Sequence, residues 1–259
     1  LVTPIKTAYW NHTPLLLVTP QAANKTMGQG GFQEVEQMNL FKDMVCYQEE
    51  VRDPSRMAEV LNRVIEKAFR GSAPAQINVP RDYWTQVIDI ELPPIVRFER
   101  QGGGKDAIER ASNLLSKAKF PVILSGAGVV IGGAIEECKK LAEKLDAPVC
   151  NGYQHNDSFP GSHPLAVGPL GYNGSKSAME LITKADVVLA LGTRLNPFST
   201  LPGYGIDYWP KNATIIQVDM NPDRIGLTKK VTVGICGDAK QVTQQLLDKL
   251  SSDLSLIHI

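Results

Sequence analysis

The sequence predicts an α/β protein built on parallel sheet. Three observations predict it: short, near-continuous Val/Ile/Leu runs, helical stripes of apolar residues between those runs, and glycine-rich turns where the runs end. Buried strands with amphipathic crossovers are the signature of a sheet covered on both faces.

The first block begins with residues 14–19, a buried strand bounded by prolines. The glycine cluster from Met27 to Glu34 reads as a loop. Asp53-Pro54-Ser55 caps a helix whose stripe is Met57, Val60, Leu61, Val64, Ile65 and Ala68. Gly71 is expected to stop it, and residues 74–80 form the next strand. Residues 1–90 thus read as one α/β unit. Residues 91–105, with Pro93-Pro94 and Gly102 to Gly104 and little periodicity, read as a linker.

A second unit is expected over 106–250. Its first helix carries Ala107, Ile108, Ala111, Leu114, Leu115 and Ala118 on one face. Strand 121–125 runs into Gly126-Ala127-Gly128. A helix striped by Ile135, Cys138, Leu141, Ala142 and Leu145 leads to strand 147–150. Strands 186–191, 214–218 and 231–235 follow, and Asp238 opens a closing helix. This alternation predicts a doubly wound, Rossmann-like sheet.

Lys plus Arg and Asp plus Glu both number 27, so no charge excess draws the chain to nucleic acid or an anionic membrane. No run approaches the roughly 18 apolar residues of a membrane helix. The four cysteines form no CxxC pair and read as reduced thiols of a cytoplasmic protein. The four histidines include neither HExxH nor His-x-His, so no metal site is expected in this chain. The start at Leu1 rather than Met, with the apolar run at 254–259, suggests a cut segment whose tail (251–259) is non-native.

Three places could carry chemistry. Gly126 and Gly128 follow a strand and open a helix, which suits a phosphate; a tight strand-to-helix turn explains them equally well. Arg194 and Asp219 end two strands at the carboxyl edge of the sheet, where α/β ligands bind, and could meet phosphate and ribose or adenine; they could equally tie neighbouring loops together. His155, Asp157 and His163 share one glycine- and aromatic-rich stretch and read better as a rigid polar loop than as a metal or acid/base set. With no GxSxG, no P-loop and no nucleophile beside a base, the residues leave a non-catalytic nucleotide-binding module open beside an enzyme.

Several stretches point further: residues 26–37 with Phe32-Gln33-Glu34, residues 76–90, residues 152–157, residues 168–176 and residues 191–209. In these the chain resembles the thiamine-diphosphate-dependent enzymes, the family of acetolactate synthase, pyruvate oxidase and benzoylformate decarboxylase, and in particular its acetyl-transferring members. The resemblance implies part of a pyrimidine-type thiamine-diphosphate-binding domain (1–90), followed by a Rossmann-like central domain. It implies thiamine diphosphate and Mg²⁺ in the complete enzyme, held by segments outside residues 1–259, and therefore no catalytic residue in this chain. Phe32 and Gln33 are implied to line the active site. The implied partners are a small sulfonated aldehyde as substrate, phosphate as acetyl acceptor, and further copies of the chain in a dimer or tetramer. Several relatives bind FAD or ADP in the region matching Arg194 and Asp219; flavin is not favoured here. Acetolactate synthases carry Lys-His near the place where this chain reads Cys46-Tyr47, which sets their 2-keto-acid substrates apart as the alternative.

Overall fold

The computed structural model describes residues 1–94 and 99–250 and divides the chain into two compact units, Leu1–Arg97 and Phe98–Ile259. The expected tail, 251–259, lies outside the described residues, as do residues 95–98 of the expected linker.

The first unit contains helix α1 (Val2–Trp10), strand β1 (Leu15–Gln21), helix α2 (Gln37–Phe41), strand β2 (Tyr47–Glu50), helix α3 (Met57–Gly71) and strand β3 (Pro74–Pro80). Its sheet is parallel with order β1-β3-β2; Leu15 pairs with Pro74, and Tyr47 with Ala75. The stripe on α3 buries Val60, Val64 and Ala68 against Ala75, Ile77 and Val79 of β3. A smaller core joins Ile5, Leu17, Phe41 and Val45.

Asp53 caps the chain as expected, accepting from the Ser55 amide at 2.8 Å, but it starts a 3-10 turn (Pro54–Arg56) that leads into α3. The helix end differs from expectation. Gly71 is the last helical residue, and Ser72 takes the left-handed conformation at φ +45°. Gly71 is needed for space instead, since a Cβ there would lie 2.9 Å from the Cys46 sulfur.

The other face of β3 carries a one-way chain of hydrogen bonds. The Gln76 amide donates to Thr19 Oγ1 (2.9 Å), the Thr19 hydroxyl to Asn78 Oδ1 (2.8 Å), and the Asn78 amide to Glu50 Oε2 (2.7 Å). Each strand of the sheet contributes, so polar groups that would be costly to bury alone stitch it together.

The second unit runs through helix α4 (Lys105–Leu115), strand β4 (Pro121–Ser125), short helix α5 (Ala127–Ile131), helix α6 (Ile135–Leu145), strand β5 (Val149–Gly152), strand β6 (Ala166–Leu170) and helix α7 (Lys176–Ile182). Strands β7 (Val187–Leu191), β8 (Thr214–Asp219) and β9 (Val233–Cys236) and helix α8 (Ala239–Lys249) complete it. All six strands are parallel, in the order β6-β5-β4-β7-β8-β9. The chain winds outward from β4 in one direction, returns to β7 beside it, and winds outward in the other. That is the doubly wound Rossmann order, with its switch point between β4 and β7.

Helices α4, α6 and α8 cover one face around Ile123, Leu189 and Ile216. The opposite face is closed by α7 and by the irregular stretch between β7 and β8, which inserts the buried ring of Tyr208. Asp238 caps α8 as expected, accepting from the Lys240 and Gln241 amides. Its second oxygen meets Arg100 at 2.9 Å. Asp186, expected as the first residue of a strand, instead pins the entry of β4 by accepting from the Lys119 and Phe120 amides.

Candidate functional site

In the first unit the glycine loop leaves the carboxyl end of β1. Gly28 (φ +83°) and Gly30 (φ +69°) take conformations that a side chain would strain, and Gln33 adopts φ +61° although it carries one. The Glu34 carboxylate accepts from the Gly28 amide at 2.6 Å and the Gly31 amide at 3.1 Å. Phe32 stands at the tip with 85% of its surface exposed. The Phe32 ring thus takes no part in the core of this unit.

In the second unit the switch point explains Gly126 and Gly128. The Gly126 amide donates to Leu191 O (3.1 Å) and the Gly128 amide to Gly192 O (2.8 Å). A Cβ on Gly128 would lie 2.6 Å from Gly192 Cα, and Gly192 itself sits at φ +62°. The glycines let two backbones touch. The Gly126 and Gly128 amides are engaged by the backbone at the end of β7 and in the turn after it, so close packing accounts for both glycines.

Arg194 and Asp219, at the carboxyl ends of β7 and β8, lie within range of one another's charge, as do Arg224 and Tyr153. Burial pushes the Asp219 carboxyl above its ordinary value, while the Asn221 amide, Arg224 and Arg194 pull it down. Burial lowers the Arg194 guanidinium, Arg224 lowers it further, and Asp219 and Tyr153 oppose this. The neighbouring loops are tied independently, by Gln217 donating to Thr193 O and Arg224 O and by Thr228 donating to Leu195 O. Asp219 ties its own loop as well, accepting from the Asn221 amide at 2.8 Å.

His155 joins the same edge. Its imidazole is lowered first by burial and also by Arg194, with Asp157 opposing at 3.9 Å. His163 does not converge with it. The His163 Nδ1 accepts from the Leu165 amide, so Nε2 carries the hydrogen and meets Glu143 at 3.1 Å. It is a structural pin. Among the described residues no group of three His, Cys, Asp or Glu side chains could hold a metal ion. All four cysteines are free; burial pushes Cys138 and Cys150 up to about 12 and raises Cys46 as well.

A further feature escapes a linear reading. Tyr153, Tyr172 and Phe198, from three separate loops, form an aromatic trio: Tyr172 stacks on Phe198 at 4.8 Å, and Tyr153 meets both edge-on. Each lies in one of the stretches that carry the family resemblance, but nothing in residue order joins the three rings.

Six parallel strands wound this way, with ionisable groups gathered at their carboxyl ends, define the class of Rossmann-like α/β domains. The chain belongs to the thiamine pyrophosphate enzymes: residues 108–246 match the family described as "Thiamine pyrophosphate enzyme, central domain". It is 80% identical over 250 residues to a probable sulfoacetaldehyde acetyltransferase of Rhizobium meliloti, covering 96% of this chain and 42% of that protein. It is 69% identical over 251 residues to a sulfoacetaldehyde acetyltransferase of Rhodobacter capsulatus, covering 97% of this chain and again 42% of the relative. A probable acetolactate synthase large subunit of Methanocaldococcus jannaschii is 36% identical over 258 residues, with 96% and 43% covered. The chain therefore spans about two fifths of the length of these relatives. Among solved structures, benzoylformate decarboxylase from Polynucleobacter necessarius matches with a TM-score of 0.80 and 23% identity, over 96% of this chain and 47% of the other, and shows the shared fold.

Proposed function

We propose that these residues are part of a cytoplasmic, thiamine-diphosphate-dependent acetyltransferase that converts sulfoacetaldehyde and phosphate into acetyl phosphate and sulfite. The observation that carries this is 80% identity along 96% of the chain to a relative bearing that name. The reaction is redox-neutral: sulfite leaves the carbon next to the aldehyde, and the acetyl unit that results passes to phosphate.

The residues described here do not by themselves fit the cofactor. Among them no group of three His, Cys, Asp or Glu side chains could hold Mg²⁺, and the amides of Gly126 and Gly128 are spent on backbone contacts instead of a diphosphate. Both ligands belong, on this reading, to the rest of the enzyme, as does assembly into a dimer or tetramer. When bound, the cofactor supplies the electron sink.

This chain contributes Phe32 and Gln33. The exposed Phe32 ring excludes water from one side of the substrate, and the Gln33 side-chain amide offers a donor to a substrate oxygen. Neither group holds or moves a proton. At the central-domain edge, Arg194 and Asp219 are the groups available to an ADP or FAD moiety; flavin is not part of the proposed reaction.

The test is sulfite release from sulfoacetaldehyde by the complete enzyme, with phosphate required and acetyl phosphate formed in equal amount. Turnover of a 2-keto acid without sulfite release would move the protein to the acetolactate-synthase side of the family, where its 36% identical relative lies. ADP or FAD is expected to leave the melting temperature of this chain unchanged; a rise would identify a nucleotide site.

A further inference from the structure

The Glu34 side chain closes a ring on its own loop. One carboxylate oxygen takes the Gly28 amide six residues back and the other takes the Gly31 amide three residues back. The Glu34 amide in turn donates to Gly31 O at 3.1 Å, so Gly31 and Glu34 are joined in both directions. The ring is anchored to the sheet, because the Gln21 side chain of β1 donates to Val35 O and the Gln37 side chain donates to Pro20 O.

Within the ring the backbone is free to move unless held. Gly28 and Gly30 would meet no neighbour even with a Cβ, so packing does not fix them. Gln33 occupies a left-handed conformation that an L side chain disfavours. The carboxylate supplies the restraint: an ionised acid accepts on both oxygens, and its bonds to amides are the strong, charge-assisted kind. Phe32 and Gln33 lie between the gripped amides and the gripping residue.

We propose that Glu34 is a positioning residue: its carboxylate, by gripping the Gly28 and Gly31 amides, holds the loop tip in the one conformation in which Phe32 and Gln33 meet the substrate. This rests on the reading of those two residues as active-site lining. A glutamine at 34 keeps one acceptor oxygen and turns an N–H toward the other amide, so it restores half the grip. An alanine restores none.

Two measurements test it. In this chain, amide hydrogen exchange of Gly28 and Gly31 is expected to quicken by about tenfold in Glu34→Ala and by less in Glu34→Gln, with the α3 amides unchanged. In the complete enzyme, kcat/KM for sulfoacetaldehyde is expected to fall about tenfold in Glu34→Ala, with Glu34→Gln intermediate and the melting temperature unmoved. Phe32→Ala and Gln33→Ala are assayed alongside. Unchanged exchange at Gly28 and Gly31 overturns the grip. Normal kcat and KM in Glu34→Ala, while Phe32→Ala or Gln33→Ala is impaired, overturns the positioning role and leaves the active-site reading standing. A lowered melting temperature with unchanged kcat and KM reduces Glu34 to a stability role and also overturns it. If Phe32→Ala and Gln33→Ala are both as active as the native enzyme, the lining reading itself fails.

Discussion

The Gly128 amide donates to the carbonyl of Gly192 at 2.8 Å, binding the turn after β4 to the turn after β7. These are adjacent strands at the point where the winding direction of the sheet reverses. The contact is close enough that neither residue has room for a side chain. The expected result of Gly192→Ala is a loss of about 2–4 kcal/mol, from the left-handed φ and the overlap with Gly128 together. Urea unfolding of the second unit measures it.

Thr19 stands in the middle of the polar chain across the first sheet. Thr19→Val keeps the shape but leaves the buried Gln76 amide without its acceptor and Asn78 Oδ1 without its donor. The expected cost is about 1–3 kcal/mol, seen as a lower urea midpoint. Asn78→Ala, which also removes the bond to Glu50, is expected to cost at least as much.

Ser72 and Asp146 both end helices in the left-handed region, at φ +45° and +48°. Glycine relieves the Cβ strain there but loses more entropy on folding. The balance favours Ser72→Gly by about 0.5–1 kcal/mol, read as a higher melting temperature.

The buried thiols carry a pH dependence of known sign. Cys138 and Cys150 are pushed up to about 12 from an ordinary 9.0, because burial disfavours the thiolate. A group raised on folding contributes its stability below the unfolded value and loses it as pH climbs toward the folded one. Stability is therefore expected to fall between about pH 9 and pH 12 in the native chain, and less steeply in Cys138→Ala measured against its own neutral-pH value. At pH 8, iodoacetamide followed by mass spectrometry is expected to label Cys46 and Cys236 and to spare the buried pair.

Much of the second unit was legible because burial and periodicity coincide there. Val122, Ile123 and Leu124 are apolar on both sides of the strand and are fully buried. The stripe Cys138, Leu141, Ala142 and Leu145 is the inward face of α6. Strand β2 was not legible: Tyr47-Gln48-Glu49-Glu50 has no apolar alternation, and it is a strand because β3 offers it a hydrogen-bonding edge. Strand β6 was hidden by Gly168 and Pro169, which are tolerated because β6 lies at the end of the sheet.

The candidate sites divide the same way. Phe32 and Gln33 were marked by the family resemblance of their loop, and Arg194 and Asp219 by their positions at strand ends. The Glu34 grip depends on three left-handed residues, and the Tyr153–Tyr172–Phe198 trio on loops far apart in the chain. From residue order alone came the parallel α/β class, the main strands and helices, and the family resemblance, since these depend on local pattern and on short runs of residues. The strand order, the reason for Gly126 and Gly128, and the partners of His163 and Glu34 were settled by folding. Those features are contacts between segments, and a contact between segments exists only once burial has brought their backbones together.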